Sequence, residues 1–479
     1  MLSDAPSGVT PSEQYLDRLC KRSFLSLWSY PNLYRDQGRK NDKGDGKELA
    51  DHLIIFNEHI IIFSDKSCAF PDSGNVELDW SRWYRRSIEK SAEQASGTER
   101  WLLQHPDRIF LDRECTKPLP ISIEPGCRIH KIVVALNASE RCKKFFGNSG
   151  SGSLVLSANV EGGTKPFHVG NISKSNGFVH ILDDVTLDIV LGELDTITDF
   201  TDYLSRKEAL FRSRLCMAAG EEELLAYYLT HTNRDKQHDF EINKTFDAAY
   251  FDEGSWSSVR TNPLYIEKKA ADRQSYAWDE IIEKFSRNVL AGTLASGNDR
   301  PISDHERGLR VLASEGRHVR RNLAKALFDL LGTTPKDSNK MRMVLSKQIP
   351  ERAYVLLIAG QETSHPDYRE KRADLLSAYC HVAKADAPSL MDIVGIATEP
   401  VDYDSRSEDL FYMDTRKWDD DAQKEALELK KNTGLMTKLT KTQYHDKEYP
   451  RKEASVQART NRNKKRNALK EQRNKWKAG

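Results

Sequence analysis

Close-spaced cysteines are missing from this sequence. Its seven, Cys20, Cys68, Cys115, Cys127, Cys142, Cys216 and Cys380, stand singly along 479 residues. An odd number without neighbouring pairs points to reduced thiols and a cytoplasmic setting, not a disulfide framework. No run of about 18 apolar residues occurs, so no membrane span and no membrane partner are expected. The start, "MLSDAPSGVTPSEQ", lacks the basic-then-apolar order of a secretory signal. No G-x-S-x-G elbow is present, which argues against a serine hydrolase. The glycine-rich "GNSGSGSL" (147–154) lacks the Lys-Ser/Thr of a phosphate loop and reads as a turn before a strand. Cys115, Cys127, His130 and Cys142 lack the close Cys-x2–4-Cys spacing of a zinc knuckle, and the three cysteines read as buried single thiols. No internal repeat is visible.

Net charge is also nearly absent, at +1, but it is unevenly spread. Residues 436–479 hold 14 Lys/Arg against 4 Asp/Glu, so the body is mildly acidic and the end strongly basic. Hydrophobic residues make up 38% and charged residues 30%, enough to build cores.

The pattern along the chain predicts a mixed α/β protein. A helix starts near Ser12, a plausible N-cap, and breaks at Pro31. A polar, glycine-bearing loop follows over 35–47. Two short apolar runs, 51–56 and 59–65, read as a hairpin joined by "NE". The stretch 77–105 reads as a long helix, with Trp80, Trp83, Tyr84, Ile88, Ala95 and Leu102 stepping by three and four. "RIFLD", "HKIVVAL", "SLVLSAN" and "GFVHIL" are further strand candidates. The middle is helical, including one helix from His305 to Gly332. From "MRMVLS" to "DDAQKEALELKKNT", strands alternate with helices, which predicts a second open sheet. The expected division is an α/β domain over 1–215, a helical region over 216–335, a smaller α/β domain over 336–435 and a basic, disordered tail over 436–479. That tail has too few aliphatic residues to offset its chain entropy by burial.

The hairpin stretch "GKELADHLIIFNEHIIIFSDK" (46–66) carries the chemistry. Glu48 and Asp51 sit at the mouth of the first strand, and Asp65 and Lys66 end the second. Hydrolytic divalent metals take oxygen ligands, and Mg²⁺ uses one or two carboxylates, waters and substrate phosphate. A nearby Lys can position water and neutralise phosphate. Lys90 and Gln94, four apart, share one helix face behind the hairpin. The acids at 183, 184, 188, 195 and 199 read as helix-end residues.

This arrangement resembles the PD-(D/E)XK, or restriction-endonuclease-like, nuclease superfamily. The resemblance covers about residues 45–105, with the sheet extending to about 200. It implies that Glu48 matches the helix acid, Asp51 the first strand acid, Lys66 the lysine, and Lys90 or Gln94 the position on the following helix. It further implies Mg²⁺ or Mn²⁺ held by Glu48, Asp51 and Asp65. The family pattern is acid-x-Lys, whereas this chain has "FSDK". Ser64 therefore stands where the acid is expected, and Asp65, one residue on, would face away unless a bulge turned it back. An active site and a silent nuclease-like scaffold both stay open. "SFLSLWSYPN", "IIFSDK" and "VGIATEP" are also similar to segments of a bacterial protein family that lends no activity of its own. By analogy, a bacterial nuclease-like protein acts in defence against foreign nucleic acid.

Nucleic acid is the expected partner, DNA ahead of RNA, with a protein partner or a second copy open. Arg82, Arg85 and Arg86 are interleaved with Trp80, Trp83 and Tyr84. The arginines could meet phosphates while the aromatics pack in the core. Arg462, Lys464, Lys465 and Arg466 in the tail are a second basic contact candidate. Residues 216–435 would recognise a partner or regulate access.

Overall fold

The hairpin holds the chain's strongest local preferences. Residues 53–56 and 60–63 are almost all β-branched or aromatic, which suits a pleated, buried surface. The reversal between them takes two residues, and Asn57 adopts φ +52°, a left-handed conformation asparagine tolerates. The structure is a computed structural model that describes residues 10–39, 44–172, 177–243, 245–294, 297–401, 406–440 and 447–449.

We label the described strands β1 (Ser29–Arg35), β2 (Lys47–Phe56), β3 (His59–Asp65), β4 (Arg128–Ala135), β5 (Val155–Glu161), β6 (His168–Asn171) and β7 (Val179–Asp183). After these come β8 (Leu215–Ala218), β9 (Ala248–Phe251), β10 (Asn339–Leu345), β11 (Arg352–Ala359), β12 (Asp392–Thr398) and β13 (Glu408–Asp414). They form a mixed α/β fold with three sheets, ordered β1-β2-β3-β4-β7, β10-β11-β12-β13 and β6-β5-β8-β9. In the first, β1, β2 and β3 run antiparallel, and β4 and β7 continue parallel to β3.

Helices cover both faces of the first sheet. On one side lies Pro11–Phe24, capped not by Ser12 but by Thr10, which forms a reciprocal capping box with Glu13. Leu16, Phe24 and Trp28 pack there with Ile54, Phe56, Ile61 and Phe63. On the other side runs the long helix, Val76–Tyr84 and Lys90–Gln104, joined by a π-helical turn at Arg85–Glu89. There the Lys90 N–H reaches back five residues to the Arg85 carbonyl. The extra residue re-phases the helix, so Trp80 and Trp83 before it and Ala95 and Leu102 after it are all buried. Trp101 and Leu102 close over Leu53, Ile55, Ile60 and Ile62.

Several local expectations are corrected. Pro31 lies within β1, opposite His52, and β1 is an edge strand, the part of a sheet that admits proline. "RIFLD" forms only isolated bridges through Phe110 to Tyr34 and Pro118. The helix expected over 305–332 is two, Ile302–Ala313 and Arg317–Thr333. They are parted where a Cβ on Gly316 would meet Asp199 Oδ1 at 2.5 Å. Strands β8 and β9 lie within the largely helical middle, and β8 pairs with β5, so a sheet runs across position 215. Of the basic end, 447–449 dock on the helical region. Glu448 meets His238 at 3.0 Å and the buried Lys268 at 3.6 Å, supplying counter-charge for that ammonium. The last sheet holds the expected elements, with β11 and β12 parallel around Tyr368–Asp386. One apolar cluster joins Phe24, Trp278, Leu312, Tyr354 and Val394, so all three regions share a core. Among the described residues no helix is long and apolar enough to cross a membrane.

Candidate functional site

The two faces of the hairpin decide what its charged ends can do. His52 lies opposite Phe63 on the side of the first helix, so Asp51 and Ser64 face the long helix and Asp65 faces the first. The β3–β4 register runs unbroken from His59↔Arg128 to Asp65↔Val134. No bulge therefore turns Asp65 round, and Asp51 and Asp65 leave the sheet on opposite faces.

Asp51 is 5% exposed. Its Oδ2 accepts the backbone N–H of Asp65 at 2.6 Å, and its Oδ1 faces Gln94 Nε2 at 3.4 Å. Burial pushes its pKa up, against the pull of that N–H and of Lys66. Glu48 is not on a helix. The strand β1, unrecognised in the sequence, pairs Tyr34 with Glu48 and so extends β2 back to Lys47. Partial burial, then the charges of Asp51 and Glu13, raise its pKa. Asp65 is buried, and the Ser12 side chain is the hydrogen-bonding group at its carboxylate. Burial, joined by the charges of Asp51 and Glu13, pushes its pKa up to about 6, against the pull of Ser12 and Lys66.

Lys66 is half-buried and lowers the pKa of all three acids, so it lies within reach of their field. Glu13, from the first turn of the first helix, raises the pKa of all three. It is an acid that the first helix adds to this cluster, and the signal that could have found it is the T-P-S-E capping box. Ser64 is buried beside Asp51, and its hydroxyl helps to hold that carboxyl's pKa down. Of the two helix candidates, Gln94 reaches Asp51, whereas Lys90 is exposed and bonds to none of the acids.

Arg82, Arg85 and Arg86 are exposed, whereas Trp80, Trp83 and Tyr84 are buried, with the Trp80 ring tilted against those of Trp83 and Tyr84. The aromatics are therefore core. Arg462, Lys464, Lys465 and Arg466 lie outside the described residues. The glycine-rich 147–154 precedes β5, and its Ser151 and Ser153 hydroxyls donate to Glu222 at 2.5 and 2.7 Å. Asp183 and Asp184 accept backbone N–H groups around Thr186 and Ser139, a structural use.

Glu48, Asp51 and Asp65 do not gather as one ligand set. Among the described residues, the three-ligand group whose atoms all lie within 4.8 Å of one another is His130, His180 and Glu208. This buried cluster is capable of coordinating a metal ion. His130 Nδ1 and His180 Nε2 approach Glu208 Oε1 at 3.0 and 3.3 Å. Burial holds the His180 imidazole neutral, its pKa lowered to about 3. Burial disfavours the Glu208 anion, but hydrogen bonds from the two histidines outweigh it and hold the carboxyl well below its usual range. The residues are 50 and 28 positions apart in the chain, and no local spacing announces them. Comparison with family models, with curated proteins and with solved structures finds no match for this chain.

Proposed function

We propose that this protein is a metal-dependent phosphodiesterase acting on nucleic acid, DNA ahead of RNA, with a PD-(D/E)XK-like site at the end of the β2–β3 hairpin. The observation that carries the reading is an electrostatic deficit. Glu48, Asp51 and Asp65 all have raised pKa values at one sheet end, and the buried Asp65 has no ion-pair partner among the described residues. Like charges held together in this way favour a bound cation. The order of helix, three antiparallel strands, long helix and parallel strand supports the same reading, as does Glu13 in the helix-acid position.

Asp51 and Glu48 would hold Mg²⁺ or Mn²⁺, two carboxylates being the usual number for Mg²⁺. Such an ion supplies Lewis-acid polarisation of the phosphate and an acidified water. Gln94 fixes the orientation of Asp51 through Oδ1, and the Asp65 N–H fixes Oδ2. Lys66 positions the attacking water and neutralises charge on the phosphate. Asp65, on the opposite face, adds negative field without bonding the same ion. The exposed Arg82, Arg85 and Arg86 meet the phosphate backbone.

One observation favours a second reading. Ser64, a buried neutral hydroxyl, occupies the place of the acid in acid-x-Lys, as it would in a non-catalytic scaffold that binds nucleic acid or a protein partner. The deciding assay is cleavage of circular DNA, linear DNA and RNA with Mg²⁺ or Mn²⁺, for wild type and Lys66→Ala. Metal-dependent cleavage lost in the variant supports the enzyme. Binding without cleavage by either protein supports the scaffold.

A further inference from the structure

We propose that His130, His180 and Glu208 form a second, structural metal site for a borderline first-row divalent ion, zinc foremost, which ties the helix Ile197–Ser213 to the first sheet.

The backbone places the three groups. Strands β4 and β7 are parallel neighbours with Ile132 opposite His180, so His130, two residues earlier on β4, shares the face of His180 one step along. Glu208 belongs to the helix Ile197–Ser213, which meets this face.

The distances suit a metal. Ligand bonds of about 2.0–2.1 Å at tetrahedral angles separate ligand atoms by roughly 3.3 Å. The observed 3.0 and 3.3 Å from Glu208 Oε1 to the two ring nitrogens are close to that edge length. The side chains of His130, His180 and Glu208 are 0%, 1% and 8% exposed, so the cluster is closed but for the glutamate edge. Arg128 and Arg212 approach the other oxygen, Oε2, from the solvent side at 3.6 and 3.4 Å, which leaves Oε1 to the rings.

The surrounding groups fit as well. A metal-bound histidine donates its other ring N–H to an acceptor. His130 Nε2 meets His59 Nδ1 at 3.2 Å, and His59 Nε2 faces Glu58 Oε1 at 3.7 Å. With His130 Nδ1 on a metal, protons on both Nε2 atoms point down this chain. His180 Nδ1 is buried without a hydrogen bond. With Nε2 on a metal, that atom carries a proton, and the His180 ring lies edge-on to Phe178 with the ring centroids 4.9 Å apart. In a metal-free triad Nδ1 is a stranded acceptor instead.

Two imidazoles and one carboxylate select zinc and its neighbours over Mg²⁺, which wants oxygen alone. The site is also distant from the proposed catalytic end. His59 begins β3 and Asp65 ends it, a span of about 20 Å. Its test therefore does not use cleavage.

The full chain, purified without chelator or a histidine tag, is assayed for metal content, then stripped and titrated with Co²⁺ while visible absorption is recorded. About one zinc per chain is expected, with a tetrahedral-type Co²⁺ band in the stripped protein. Glu208→Gln and His180→Ala should each weaken Co²⁺ binding tenfold or more. A folded wild type with neither bound zinc nor a Co²⁺ band overturns the proposal, whatever the variants do. A Co²⁺ band of unchanged affinity in both variants also overturns it, since the ion then sits elsewhere.

Discussion

Asp51 Oδ2 accepts the backbone N–H of Asp65 at 2.6 Å, yet the two carboxyls leave opposite faces of the hairpin. They are tied through the main chain and cannot grip one ion from the same side. Asp51→Asn is therefore expected to lower metal-dependent cleavage by about 100-fold or more. Asp65→Asn should stay within roughly tenfold of wild type. Single-turnover cleavage rates at saturating Mg²⁺ check this. Equal losses in the two variants would refute the assignment of Asp65 to the far face.

Stability should fall with rising pH through the titration of Asp65. Its carboxyl is pushed up to about 6 from an ordinary value of 3.8. Between those values the folded chain binds the proton and the unfolded chain does not, so folding loses stability as pH rises. Without divalent metal, urea midpoints should decline between pH 4 and pH 6. Asp65→Asn should flatten that decline and gain on the order of 2 kcal/mol at pH 7. A variant as pH-sensitive as wild type would show that the charge is compensated.

Asp279 carries two buried guanidiniums, accepting from Arg317 Nη1 and Arg320 Nη1, each at 2.7 Å. Arg320 is 1% exposed. Asp279→Ala strands that charge in the core shared by the helical region and the last sheet. It should cost about 3–5 kcal/mol, because breaking one partner of a buried pair leaves the other unpaired. Chemical denaturation followed by circular dichroism gives the value, and a loss under about 1 kcal/mol would mean that solvent reaches Arg320.

The long helix separates packing from binding. Trp83→Ala should cost about 3–5 kcal/mol of stability, as the loss of a large core side chain does. Reversing Arg82, Arg85 and Arg86 to glutamate should leave stability nearly unchanged and weaken DNA binding. The slope of log affinity on log salt should shrink by about 0.9 for each phosphate that is no longer neutralised. Affinity and slope measured by fluorescence anisotropy decide the point. An unchanged slope would move the binding surface elsewhere.

By itself the sequence determined the elements whose local signals are strong: the hairpin, the long helix over 76–104, and the strands and helices of the last sheet. Apolar runs, periodicity and capping act over a few residues, so they can be read without knowing what packs where. It also brought forward Asp51, Lys66 and Gln94, whose types and spacings are local to one hairpin and one helix. Tertiary structure decided the rest. Strands β1, β6, β8 and β9 are short or carry weak signals, and are held as strands by partners distant in sequence. Whether Asp65 faces the site turned on an unbroken register with β4, and a register is a property of two strands, not one. Glu13 joined the acids only because the first helix packs across the sheet. His130, His180 and Glu208 met only because β4, β7 and a helix converge. Contacts between residues far apart in the chain depend on the packing of whole elements, which no local stretch of sequence encodes.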